Sequence, residues 1–166
     1  GLGNKFLSNI RATDAVVHVV RCFDDPDVVH VEGSADPRRD IEIINLELVM
    51  ADMEMVERRI EKAKKAAKGD KKFLHEAEVF EGLLAYLNDG SAARGYECSD
   101  EDRALIATSE LLSLKPVIFA ANLDEESFTA GYENNKYYNE VKAYADEDGS
   151  QVLPICAKTE QEIAQL

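Results

Sequence analysis

Three short apolar runs punctuate the chain, and each gives way to polar residues. Positions 15–20 read Ala-Val-Val-His-Val-Val, 117–121 read Val-Ile-Phe-Ala-Ala, and 151–155 read Gln-Val-Leu-Pro-Ile. Runs this short and β-branched, bounded by turn residues, predict buried strands rather than helices. Between the first two the period changes to steps of three and four. Leu46, Val49, Met53, Val56, Ile60, Ala63 and Ala67 form one seam, Lys68-Gly69-Asp70 interrupts it, and Phe73, Ala77, Phe80, Leu84 and Leu87 resume it. Asp36 followed by Pro37 is a helix start signal, and Asn88-Asp89-Gly90 is a stop. A turn this short predicts two antiparallel helices over 36–90 with their seams packed together, a coiled-coil hairpin projecting from the domain.

Shorter helices complete the pattern. Phe6, Leu7 and Ile10 have helical spacing behind a glycine-rich start, and Ser99 caps a helix running to about residue 113, with Leu105, Leu111 and Leu112 for burial. Residues 132–145 read as a helix ended near Gly149, and Thr159 with Glu162 forms the capping box of a last one. Strands alternating with helices specify a parallel α/β sheet, here interrupted by a helical insertion.

Composition narrows the function classes. With 166 residues and 45% hydrophobic content the chain can build one medium domain, or one domain carrying an insertion. A net charge of -14 argues for solubility and against a surface that coats nucleic acid, while leaving room for a local basic patch. Cys22, Cys98 and Cys156 are odd in number and scattered, which points to a reduced, cytoplasmic setting. His18, His30 and His75 lack metal-ligand spacing, and His18 reads as a sheet-face histidine. No run is long enough to span a membrane. The chain opens on Gly-Leu-Gly-Asn-Lys-Phe without a methionine, as expected of a piece of something longer.

Candidate chemistry gathers at the polar ends of the predicted strands, where open α/β sheets bind ligands. Behind the second strand stands Asn122-Leu123-Asp124-Glu125. In guanine-specific GTPases the equivalent Asn-Lys-x-Asp places a carboxylate against the two donors on the guanine edge. A longer glutamate with apolar Leu123 in place of lysine suits a base without that donor pair. Behind the first strand come Phe23, Asp24 and Asp25, readable as a turn before Pro26, a cation site or the edge of a nucleotide pocket. A second cluster sits at the hairpin turn, where Lys62, Lys64, Lys65, Lys68, Lys71 and Lys72 concentrate positive charge in an acidic chain. Lysines at a helical tip are ordinarily solvated, but on a projecting arm they can meet phosphates.

Taken in order, these parts resemble the second half of an Obg-like ATPase of the YchF family, a branch of the P-loop GTPase superfamily with altered base specificity. The resemblance is carried by Gly1-Leu2-Gly3-Asn4-Lys5-Phe6-Leu7 behind switch II, Val17 through Phe23 as the next strand, and His30-Val31-Glu32-Gly33 with Asp36 through Glu42 ahead of the coiled coil. Asn122-Leu123-Asp124-Glu125 matches the family's Asn-x-x-Glu base motif, and Cys156-Ala157-Lys158 falls at its last nucleotide loop. The resemblance implies a three-stranded part of the nucleotide-binding domain over 1–35 and 99–166, with the helical insertion at 36–98. It implies ATP binding through Asn122, Leu123, Glu125, Phe23, Cys156 and Ala157, ATP hydrolysis by the intact protein, and ribosome association. The six tip lysines then become a candidate contact to ribosomal RNA. No Gly-x-x-x-x-Gly-Lys-Ser/Thr occurs in the sequence. The resemblance therefore puts the phosphate loop, the Mg²⁺ ligands and the C-terminal TGS domain outside these residues, and implies that this stretch alone is inactive.

Two other readings stay open. One is a receiver or flavodoxin-like domain with Asp24 and Asp25 as a cation pocket and Lys158 as partner. The other is a non-catalytic interaction module whose helical hairpin is the binding surface.

Overall fold

The computed structural model describes residues 3–24 and 34–156. The predicted helix after Thr159 lies outside them, as do Asp25, Pro26, His30 through Gly33, Ala157 and Lys158. The elements in chain order are α1 (Asn4–Arg11), β1 (Val16–Arg21), α2 (Pro37–Ala67), α3 (Lys72–Asn88), α4 (Asp100–Ala107), β2 (Val117–Leu123), α5 (Glu125–Gly131), α6 (Lys136–Asp148) and β3 (Gln151–Cys156). Three single-turn 3-10 segments stand at Ala93–Gly95, Leu112–Leu114 and Tyr132–Asn134. They form two compact units: Gly1–Asp14 with Ile44–Pro116, and Ala15–Ile43 with Val117–Leu166. Neither dividing point is at 35/36 or 98/99, because α1, α4 and the turns around them fold with the helical hairpin.

The sheet unit holds β1, β2 and β3, all parallel and in that spatial order. Val16 pairs with Val117 and Arg21 with Asn122; Ile118 pairs with Gln151 and Leu123 with Cys156. Alternate residues of a strand face opposite sides. Val20, Phe119, Ala121 and Leu123 therefore share a side, which α6 covers with Tyr137, Tyr138, Val141 and Ala145. The opposite side carries Val17, Val19 and Leu153, each more than half exposed. Helix α6 is capped by Asn135, whose side-chain Oδ1 accepts from the Tyr137 and Tyr138 amides, and ends at Gly149 in the left-handed region with φ 73°. It begins later than the expected residue 132 because the short helix α5, capped by Asp124, and a 3-10 turn occupy 125–134.

In the helical unit α2 and α3 run antiparallel. Asn45 Nδ2 donates to the Gly90 carbonyl at one end, and Arg59 pairs with Glu76 at 3.0 Å farther along. At the turn, Asp70 accepts from the Lys72 amide. Val49, Val56, Ile60, Phe80, Leu83 and Leu87 meet in one core with Ala93, Ile106 and Leu111. The predicted seam holds from Val49 through Ala63. Leu46, however, is 50% exposed, while Leu48 and Asp52 are buried on another side of α2. The reason is a second layer. Asp52 Oδ1 accepts from the Leu112 amide at 2.7 Å, and Oδ2 accepts from the Ser113 amide and hydroxyl at 2.7 and 2.5 Å. That carboxylate anchors the segment that leads from α4 toward β2. Burial pushes the Asp52 carboxyl above its ordinary value, against the downward pull of those three donors.

Ser99 caps α4 as the sequence predicts, its hydroxyl accepting from the Asp102 amide. The helix stops at Ala107 rather than near residue 113. Thr108 and Ser109 turn their hydroxyls back onto the Leu105 and Ile106 carbonyls, and Glu110 takes a φ of 53° that no helix continues through.

Candidate functional site

The carboxyl ends of β1, β2 and β3 bring together most of the residues that the sequence marks for nucleotide binding. The last inter-strand step here is a bond from the Cys22 amide to the Asn122 carbonyl at 2.7 Å. It sets Phe23 one residue beyond the sheet, beside the end of β2. Asn122 and Phe23 are half-buried, Glu125 is exposed, and Cys156 is buried at the end of β3. Glu125 is the first residue of α5, whose start is capped by the Asp124 side chain accepting from the Ser127 amide. Arg21 Nη1 donates to the Phe23 carbonyl at 2.8 Å, with its guanidinium 6.0 Å from the Phe23 ring centre.

Leu123, which the resemblance implies as a nucleotide-binding side chain, is turned away from the loop surface. It is 1% exposed and belongs to the core under α6. Strand alternation is the cause: Asn122 aligns with Arg21 and Ile155 on one side of the sheet, while Leu123 aligns with Cys156 on the other. Leu123 thus holds the loop from beneath. Ala157, the remaining base-site candidate, lies outside the described residues.

Asp24 is built into the fold rather than offered to a cation. Its Oδ1 accepts from the Ala35 amide at 2.9 Å and from the Tyr137 hydroxyl at 2.8 Å, and Oδ2 lies 3.0 Å from the same hydroxyl. The Ala35 amide foremost, then the Tyr137 hydroxyl, hold this carboxyl below its ordinary value. His18 packs tilted against Phe119 at 5.8 Å, and burial pulls its imidazole below the usual range, with Asp40 opposing. Burial, assisted by Glu140 and Asp40, pushes the Cys22 thiol up to about 12, so it is no nucleophile. Among the described residues no three His, Cys, Asp or Glu side chains form a group that could hold a metal ion.

At the other candidate site all six tip lysines are exposed. Lys64 pairs with Glu81 at 2.8 Å, and Lys72 with Asp70 at 3.5 Å. Lys62, Lys65, Lys68 and Lys71 form no ion pair among the described residues. A cavity of about 770 Å³ in the helical unit, lined by Ser8, Arg11, Arg103, Glu110 and Lys115 among others, contains none of the predicted residues. No sequence signal marked it, since its walls come from helices far apart in the chain.

Comparison with known proteins adds what geometry cannot. No protein-family model matches the chain. It is 45% identical to a "Ribosome-binding ATPase YchF" of Haemophilus influenzae and 43% identical to one of Bacillus subtilis. It is 36% identical to an "Obg-like ATPase 1" of Oryza sativa subsp. indica. Each match covers 100% of this chain and 45%, 45% and 42% of the respective relative, so the chain spans under half their length. The solved structure of a Schizosaccharomyces pombe YchF GTPase superposes with a TM-score of 0.85 at 35% identity, over 100% of this chain and 46% of that one.

Proposed function

We propose, from the premise that this chain belongs along its whole length with the YchF and Obg-like ATPases, that it forms the base-recognising half and the helical arm of a cytoplasmic, ribosome-associated ATP hydrolase. The observation that carries this reading is the convergence of Phe23, Asn122 and Cys156 at the ends of three parallel strands, with Glu125 opening α5 beside them. Asn122 and Glu125 read the edge of the base, Phe23 packs on its ring, and Cys156 and Ala157 contribute backbone groups. A buried Cys156 side chain agrees with a backbone role. ATP suits this set better than GTP, because a guanine edge asks for a carboxylate at the shorter aspartate's reach. The phosphates and Mg²⁺ need a Gly-rich loop that the sequence does not contain, so no residue here is assigned to phosphoryl transfer.

The test is nucleotide affinity of the intact protein. Asn122→Ala and Glu125→Ala each remove a hydrogen-bonding group from the base and are expected to weaken ATP binding about tenfold. GTP binding, weak already, should change little. If both variants bind ATP as the parent does, the base site is elsewhere.

The tip lysines carry the second half of the reading, a contact to ribosomal RNA. Charge reversal at Lys65, Lys68 and Lys71 is expected to weaken ribosome binding and to flatten its dependence on salt, since fewer counterions are released. Equal binding by parent and variant across a salt series returns these lysines to the solvated surface. Survival of ribosome binding in variants that no longer bind ATP would favour the interaction-module reading.

A further inference from the structure

Phe23 leaves the sheet, yet four hydrogen bonds hold the chain at it and on either side of it. Before it, the Cys22 amide is bonded to the Asn122 carbonyl, and at Phe23 itself the carbonyl accepts from Arg21. After it, the single oxygen Oδ1 of Asp24 accepts from both the Ala35 amide and the Tyr137 hydroxyl. Ala35 lies eleven residues further along the chain, so this is a contact between separated positions. Tyr137, on α6, is buried in the core between that helix and the sheet, which makes it a fixed post rather than a mobile side chain. The Asp24 carboxylate is thus tied at once to Ala35, ahead of α2, and to Tyr137 on α6.

We propose that Asp24, clasped by Tyr137 and Ala35, is a positioning residue that sets Phe23 against the nucleotide base. This rests on the base-site reading above. Without the clasp the chain loses the two bonds that hold Asp24, the residue next to Phe23, and Phe23 gains freedom that binding must then remove. An aromatic wall tolerates little displacement before contact with a planar ring is lost. The clasp depends first on an acceptor oxygen placed between its two donors, with the negative charge only strengthening those bonds, and this separates it from a cation site at the same residue.

Four variants of the intact protein decide the matter, assayed for ATP hydrolysis and for melting temperature. Tyr137→Phe keeps the buried ring and removes one donor; KM for ATP is expected to rise about three- to tenfold with a much smaller change in kcat. Asp24→Ala removes both bonds and should raise KM further. Asp24→Asn keeps Oδ1 and should restore most of the affinity. Phe23→Ala gives the reference effect of losing the wall itself. If Phe23→Ala raises KM but Tyr137→Phe does not, the clasp is overturned and the base site stands. If Asp24→Asn is as damaging as Asp24→Ala, charge is what matters and the clasp is again overturned. If Phe23→Ala leaves KM unchanged, the placement of Phe23 at the base falls, and the clasp with it. A KM rise confined to variants whose melting temperature has dropped equally would be general loosening and would overturn the positioning role.

Discussion

Asp52 is the residue whose environment differs most from what its letter suggests. An aspartate in the middle of a helix rich in acids reads as solvated, yet its side chain is fully buried and serves three donors. Asp52→Ala would strand two buried amides and a hydroxyl, and is expected to destabilise the helical unit by about 3 kcal/mol or more, measured by denaturant unfolding. Two carboxyls should also answer acid in opposite senses. Asp52 has a raised folded value, so its contribution to stability is present below its ordinary 3.8 and is lost as pH rises through the raised value. Asp24 has a lowered one, so its contribution is present above 3.8 and is lost as pH falls through the depressed value. Amide shifts in an NMR titration check this: the Ala35 signal should move with a midpoint below 3.8, and those of Leu112 and Ser113 with midpoints above it. The reverse order would show that the two environments have been misread.

At the scale of elements, the α2–α3 hairpin separates periodicity from burial. Ile60 is 7% exposed inside the helical core, whereas Leu46, on the same predicted seam, is half exposed. Ile60→Asp puts an unpaired charge into that core and should cost about 3 kcal/mol or more. Leu46→Asp should stay within about 0.5 kcal/mol of the parent. Circular dichroism melts of both variants measure the difference; equal losses would mean that the seam continues past Val49. Conversely, the Lys68-Gly69-Asp70 turn and the Asp36-Pro37 start lie where the local chemistry places them, Asp36 accepting from the Arg39 amide at 3.2 Å.

For the whole molecule the exposed part is the sheet. β1 pairs with one neighbour, β2, among the described strands, and the side of the sheet away from α6 exposes Val17, Val19 and Leu153. An apolar strand with an unpaired edge recruits other strands. A chain of 166 residues with net charge -14 is held apart mainly by repulsion. The chain by itself is therefore expected to self-associate as its concentration or the salt rises, and Val17→Lys with Val19→Lys should relieve it. Sedimentation velocity over a concentration series checks this. A monomer at every concentration, with native helicity, would sink the idea.

Local chemistry in the sequence determined the elements: β-branched runs made the three strands, steps of three and four made the long helices, and Ser99, Asp36 and Asn135 fixed helix starts through bonds that reach only two or three residues. The same locality located the base motif, because a polar loop behind a buried parallel strand is where ligands bind in such sheets. What tertiary structure decided is which neighbour each side chain meets. Leu123 went into the core because strand alternation and the packing of α6 chose its side of the sheet. Asp52 was taken out of solvent by amides some sixty residues away, and Asp24 was claimed by Ala35 and by Tyr137, 113 residues on. Periodicity along a chain says that a face exists; only contacts between distant segments say what covers it, and whether a carboxylate there is free to bind or already spent on the fold.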